Sequence, residues 1–163
     1  MRSKILKCLF TSKAERKGKR TMKSFRPEQV INGTWGEVWF DGEYLAQVTA
    51  CKAEVTLKKT AISQCQNLVD GQKVTGLEPK GELKLHKINS FVMNKVNKIV
   101  RAGKTPTHTI ISNVNDPDAI GAERIAYYGC VIDKMILSDW EAGKTGEESY
   151  GFTFQDWEPM QTI

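Results

Sequence analysis

The residues of this chain that could do chemistry are two histidines, four cysteines and a scatter of carboxylates. Binding a metal through His and Cys needs several of them at close ligand spacing. His86 and His108 each stand alone in a strand-like run and read as surface residues. Cys8, Cys51, Cys65 and Cys130 lie far apart without a C-x-x-C pair, which implies neither a zinc site nor a disulfide framework. A reducing, cytoplasmic origin is the default expectation for such thiols. Cys51 and Cys130 sit in apolar runs and read as small core residues. Asp116, Asp118, Glu123, Asp133 and Asp139 are spread over turns and strands, where a short acidic side chain commonly holds a turn's own backbone. Gly143-Lys144-Thr145 ends like a phosphate-binding loop but lacks the upstream glycine, and neither H-E-x-x-H nor G-x-S-x-G is present. The expectation is a non-enzymatic chain with no catalytic, metal or cofactor site.

The elements that position these residues are mostly strands. Asp41-Gly42 divides two β-rich runs, the strongest short-range hairpin signal, because both central residues of that turn need φ > 0. The second run, 43–57, reads as one strand if unbroken, so long for a small domain that it must bend, change sheets or project. From Cys51 it alternates: Cys51, Ala53, Val55 and Leu57 on an apolar face, Lys52, Glu54, Thr56 and Lys58 on a wet one. The stretch 59–76 has no sustained alternation and reads as a projecting loop or extended hairpin tip, long enough to need a function. Gly81, Leu83 and Leu85 then alternate with Glu82, Lys84 and His86, in a strand expected to pair with 51–57. A helix is expected over 90–102, capped by Asn89 or Ser90, striped by Val92, Val96, Ile99 and Val100, and ended by Gly103. Strands follow over 107–114, over 123–137 with a bulge at Gly129, and over 150–157, where Tyr150, Phe152 and Phe154 share a face and Pro159 ends the run. The fold class is mainly β: an antiparallel sandwich or partly open barrel with one packed α-helix.

The 163 residues suit one domain at 29–163 behind a basic leader at 1–28. The formal charge of +5 comes from that leader: residues 1–23 carry nine Lys/Arg and one Glu, while the rest has 15 basic and 18 acidic residues. The body therefore has no basic footprint for nucleic acid. A charge-rich leader without periodicity reads as a disordered tail, with Met22 as a candidate start. Lys7 interrupts the leader's short apolar run and no cleavage site follows, so it does not read as a signal peptide. No run is long and apolar enough to cross a membrane as a helix. Trp35, Phe40, Tyr44, Tyr127, Phe152 and Phe154 are not interleaved with Lys or Arg, which favours core packing over base stacking.

Several stretches, in order, resemble a known family. Gly33-Thr-Trp-Gly-Glu-Val-Trp-Phe-Asp-Gly-Glu is similar to the opening hairpin of tail tube proteins from contractile phages and PBSX-type defective prophages (the XkdM type). Ala53-Glu-Val-Thr-Leu-Lys-Lys, the loop ending in Lys73-Val-Thr-Gly, and Gly81-Glu-Leu-Lys-Leu-His-Lys match that family in kind and order. Gly121-Ala-Glu-Arg-Ile-Ala-Tyr-Tyr-Gly-Cys and Tyr150-Gly-Phe-Thr-Phe-Gln-Asp-Trp resemble its later strands. The resemblance covers about 30–158 and implies a structural subunit of a phage tail or phage-tail-like particle, assembled in the bacterial host cytoplasm. It implies hexameric rings stacked into a tube inside a contractile sheath, with baseplate and tail terminator proteins at the ends. DNA would be passing cargo in a true phage, and the chain would insert in no membrane. On that basis Lys52, Glu54, Thr56, Glu82, Lys84 and His86 would line the lumen. Ile62, Gln64, Gln66, Leu68, Val69 and Asp70, in the 59–76 loop, would reach a neighbouring subunit or the next ring. The alternative is a small β-barrel binding module for nucleic acid or a ligand, acting as a monomer.

Overall fold

The structure, a computed structural model, describes residues 25–163. Most of the expected leader, and Met22 with it, lies outside the described residues. The expected boundary at 28/29 falls inside a 3-10 turn, Pro27–Gln29. A second such turn, Gly33–Trp35, leads into eight strands and one helix: β1 (Gly36–Phe40), β2 (Glu43–Tyr44), β3 (Val48–Ile62), β4 (Gly71–His86), α1 (Phe91–Arg101), β5 (His108–Val114), β6 (Glu123–Ile132), β7 (Glu147–Thr153) and β8 (Asp156–Gln161).

The strands form one antiparallel network ordered β2-β1-β5-β6-β7-β4-β3, with β8 on β6. Its two end strands, β2 and β3, do not pair, so the barrel stays open. β6 belongs to both layers. Residues Glu123 to Tyr128 lie between β5 and β8, whereas Val131 and Ile132 pair with Thr153 and Phe152 of β7. The expected bulge at Gly129 makes this switch. Gly129 has φ +64°, a left-handed conformation that costs glycine little. Opposite it, the β5 register slips between His108 and Ile110. The slip reverses the inward parity of β6: Tyr127 faces the core before it, Cys130 and Ile132 after it.

The core lies between the layers, built on Phe40, Leu83, Ile110, Tyr127, Cys130, Tyr150, Phe152 and Phe154. The expected shared face of Tyr150, Phe152 and Phe154 is buried. Phe152 lies so close to β4 that a Cβ on Gly81 would stand 2.2 Å from its ring. Only a residue without a side chain lets the β4 backbone approach that ring. Trp35 and Tyr44, expected in the core, are about half exposed at the start of the first hairpin.

The Asp41-Gly42 turn forms as expected, with φ +51° and +80°. The run after it is not one strand. β2 ends at Tyr44, buried Leu45 donates its N–H to Val38, and the chain crosses to the other layer, where Gln47 accepts from the His86 N–H. An apolar residue at 45 satisfies the alternation of a strand and the needs of a buried crossover equally well, so sequence does not separate them. α1 starts one residue inside its expected bounds. Ser90 is the N-cap position, and the Asn89 carboxamide oxygen accepts from the Phe91 N–H at 3.2 Å. Val92 and Val96 are buried on the core, while Val100 is half exposed. The expected last strand, 150–157, is two: β7 ends at Thr153 and β8 starts at Asp156, and Pro159 lies within β8, opposite Ile125 beside a register shift. An edge strand tolerates a proline there, since no second neighbour needs its N–H.

Candidate assembly surface

Among the described residues no cluster of three or more His, Cys, Asp or Glu could hold a metal, and no helix is long and apolar enough to cross a membrane. His108 is not a surface residue, as its isolation in the sequence implied. It is 3% exposed, with Nδ1 2.7 Å from Asp41 Oδ2, and Asp41 Oδ1 also accepts from the Thr109 N–H. The imidazole ties the first hairpin turn to β5. No sequence spacing announces that pair, because the two residues meet only through the β1–β5 pairing. Asp116 is buried in its turn, accepting from the Asp118 and Asn32 N–H groups.

The largest unusual feature is the β3–β4 hairpin. The strands pair from Val48↔Leu85 to Ile62↔Gly71. Among the described residues only β4 has a further neighbour, β7, and that pairing stops at Lys80↔Thr153. Beyond it the hairpin is a bare two-stranded arm. Eight residues of β3, 55–62, span roughly 25 Å of it at about 3.3 Å per residue. Of the 59–76 stretch, 59–62 and 71–76 are thus strand, and only 63–70 is connection. A slip between Lys58 and Lys59 leaves Thr75 unmatched. Its hydroxyl lies 3.3 Å from that of Thr60 and 3.4 Å from the Lys58 carbonyl, which absorbs the extra residue. Pro79 sits one position past the last β4–β7 pair, on a stretch with an open side.

Direct cross-strand partners share a face of a sheet. One face of the arm pairs Lys52 with Glu82, Glu54 with Lys80, and Thr56 with Glu78. Lys84 and His86 continue it, and β7 adds Ser149 opposite Lys84 and Glu147 opposite His86. All six residues expected at the lumen therefore lie on this one face; five are exposed and Glu82 is half-buried. Opposite charges interlock there. Lys52 pairs with Glu54 at 2.7 Å and Lys58 with Glu78 at 2.5 Å. The Ser149 hydroxyl donates to Glu82 at 2.6 Å. That bond, then the Lys84 charge, holds the Glu82 carboxyl below the usual range. Lys58 similarly lowers Glu78, and Glu54 raises Lys52. Sequence alternation missed Ser149 and Glu147, which join only through the β4–β7 register.

The other face is apolar. Cys51, Ala53 and Val55 pack on the core's edge. The same stripe then runs into solvent as Val55–Pro79 and Leu57–Leu77 pairs, with Val74 beyond. Leu57, Leu77 and Val74 are each about half exposed. Of the residues expected in the connecting loop, Ile62 is instead the last residue of β3, because it still pairs with Gly71. Gln64, Gln66, Leu68, Val69 and Asp70 form the tip. Gln66 is left-handed at φ +63°, Asn67 Oδ1 accepts from the Val69 N–H, and Leu68 is fully exposed. Among the described residues β3 also has no strand along its outer edge for its whole length.

A family model described as phage tail tube protein matches residues 23–161. The phage-like element PBSX protein XkdM of Bacillus subtilis (strain 168) is 24% identical over 142 residues, 86% of this chain and 97% of the relative. Among solved structures, a chain of the sheath-tube complex of an extracellular contractile injection system in its extended state aligns with TM-score 0.63 and 7% identity, covering 84% of this chain and all of its own. A chain of the sheath/tube terminator of such a system aligns with TM-score 0.64 and 6% identity, over 78% of this chain and 94% of its own.

Proposed function

The chain belongs to the phage tail tube protein family, a structural and non-enzymatic one, and from that premise we propose that its copies form hexameric rings that stack into the inner tube of a contractile particle. The chain is a tail tube subunit, a component of a phage tail or tail-like particle. Membership also replaces the alternative of a monomeric binding module.

One observation carries the finer reading. The distal β3–β4 arm is a two-stranded ribbon whose apolar stripe leaves the core uncovered. Two strands alone are marginal in water, and a third strand or a packed surface stabilises them. A free 15-residue edge is a template for another chain. In a ring, each arm and edge gains a neighbour, and closure removes the open edges. The wet face of Lys52, Glu54, Thr56, Glu82, Lys84 and His86 then lines the lumen. Its carboxylates and lysines neutralise one another, so cargo DNA finds few unpaired cations there. The 63–70 tip, with Gln64, Gln66, Leu68, Val69 and Asp70 and with Ile62 at its base, reaches a neighbouring subunit or the next ring. A sheath would surround the tube, with baseplate and terminator proteins at its ends and assembly in the host cytoplasm.

Electron microscopy and light scattering of purified protein test this. Rings or tubes with six-fold symmetry are expected from the wild type. Deleting 60–75 leaves a folded body that no longer polymerises; normal tubes from that deletion would refute the role given to the arm.

A further inference from the structure

The loop 133–146, between β6 and β7, ends in an exposed knob. Trp140 is 83% exposed, between the acids Asp139 and Glu141. Glu141 is bonded to Lys144 at 2.7 Å, whereas Asp139 has no ion pair among the described residues. An indole so exposed is the residue type most enriched at binding hot spots, and here the isolated chain leaves it uncovered.

Elsewhere on the same chain lies a groove of complementary character. It holds about 380 Å³ beside the C-terminal half of α1, with Ile99 and Ala102 as its apolar lining, and with Lys95, Lys98 and Lys104 outnumbering one carboxylate, Asp41, around it. Lys95 is engaged by Glu43 at 3.2 Å, but Lys98 and Lys104 are in no ion pair among the described residues. His108 lines it too, and its buried Nε2 has no hydrogen-bond partner. An apolar floor under ammonium groups suits the face of an aromatic ring.

We propose that the Asp139-Trp140-Glu141 knob of one copy seats in the α1 groove of a second copy, indole on Ile99 and Ala102, Asp139 against Lys98. The choice of a second copy rests on the self-assembly reading above and on the opposite charges of knob and groove. Knob and groove are different surfaces, so the contact is head-to-tail and generates a ring or a filament rather than a closed pair. It is separate from the β3–β4 arm and gives the assembly a second contact.

The test uses the full chain and its variants Trp140→Ala, Asp139→Lys, Lys98→Glu and the Asp139→Lys/Lys98→Glu exchange. Assembly is followed by light scattering against concentration, with circular dichroism as the check on folding. Trp140→Ala and each single charge reversal are expected to raise the concentration needed for assembly about tenfold or more. The exchange restores it to within about threefold, since the ion pair is rebuilt with its polarity reversed. Carbodiimide coupling of a mixture of ¹⁴N- and ¹⁵N-labelled protein is expected to join Asp139 to Lys98 in mixed-isotope peptides. Wild-type assembly by Trp140→Ala, additive loss in the exchange, or same-isotope links alone would overturn this contact and leave ring assembly standing. A wild type that stays monomeric would overturn both.

Discussion

The body of the sandwich and the arm that leaves it share the strands β3 and β4 and obey different rules. In the body, β4 runs between β3 and β7, Leu83 and Leu85 are buried, and a buried Phe152 ring presses on Gly81. In the arm, the same alternation continues with nothing beyond it, and Leu57 and Leu77 stay half exposed. The pattern of residues does not change at the boundary; the number of neighbours does. Alternation specifies which side of a strand wants to be dry, and among the described residues nothing dries it along the arm. In the proposed reading another copy does.

The contrast is broken most severely in the body. Phe152→Ala removes the ring at the centre of the Tyr127–Phe152–Phe154 cluster and is expected to cost about 3–5 kcal/mol in urea unfolding. Gly81→Ala forces a Cβ into that ring. It is expected to cost about 1–3 kcal/mol, because a buried ring has nowhere to go. The paired change Leu57→Ser/Leu77→Ser moves stability of the isolated chain by only about 1 kcal/mol or less, yet is expected to abolish polymer in the electron microscope. A large loss of monomer stability there would mean that the stripe is ordinary core. The smallest effect distinguishes the regions without changing their stability. Burial pushes the Cys130 thiol up to about 12, so it stays protonated from neutral pH to well above it and resists alkylation in the folded chain. Cys65, exposed near the arm's tip, is expected to react before Cys130, as mass spectrometry of the labelled peptides would report.

Much of this was legible in advance, for identifiable reasons. Asp41-Gly42, the 51–57 alternation, the pairing of 81–86 with it, the α1 stripe and Gly129 are local signals, and the structure follows each. What failed was nonlocal. Leu45 turns a strand into a crossover through a contact with Val38, His108 is drawn inside by Asp41, and Pro159 is tolerated because β8 has one free side. None of those partners lies near in sequence. The wet face was legible as alternation, whereas Ser149 and Glu147 joined it through β4–β7 pairing alone.

The central claim is that the arm is completed by other copies. Hydrogen exchange of its backbone amides, 55–62 and 71–78, compared between monomer and assembled protein, tests this most directly. In the monomer these amides are expected to exchange far faster than those of β6 and β7. On assembly they gain protection approaching that of the body, while β6 and β7 change little. Arm amides that exchange as fast in the polymer as in the monomer would contradict the claim.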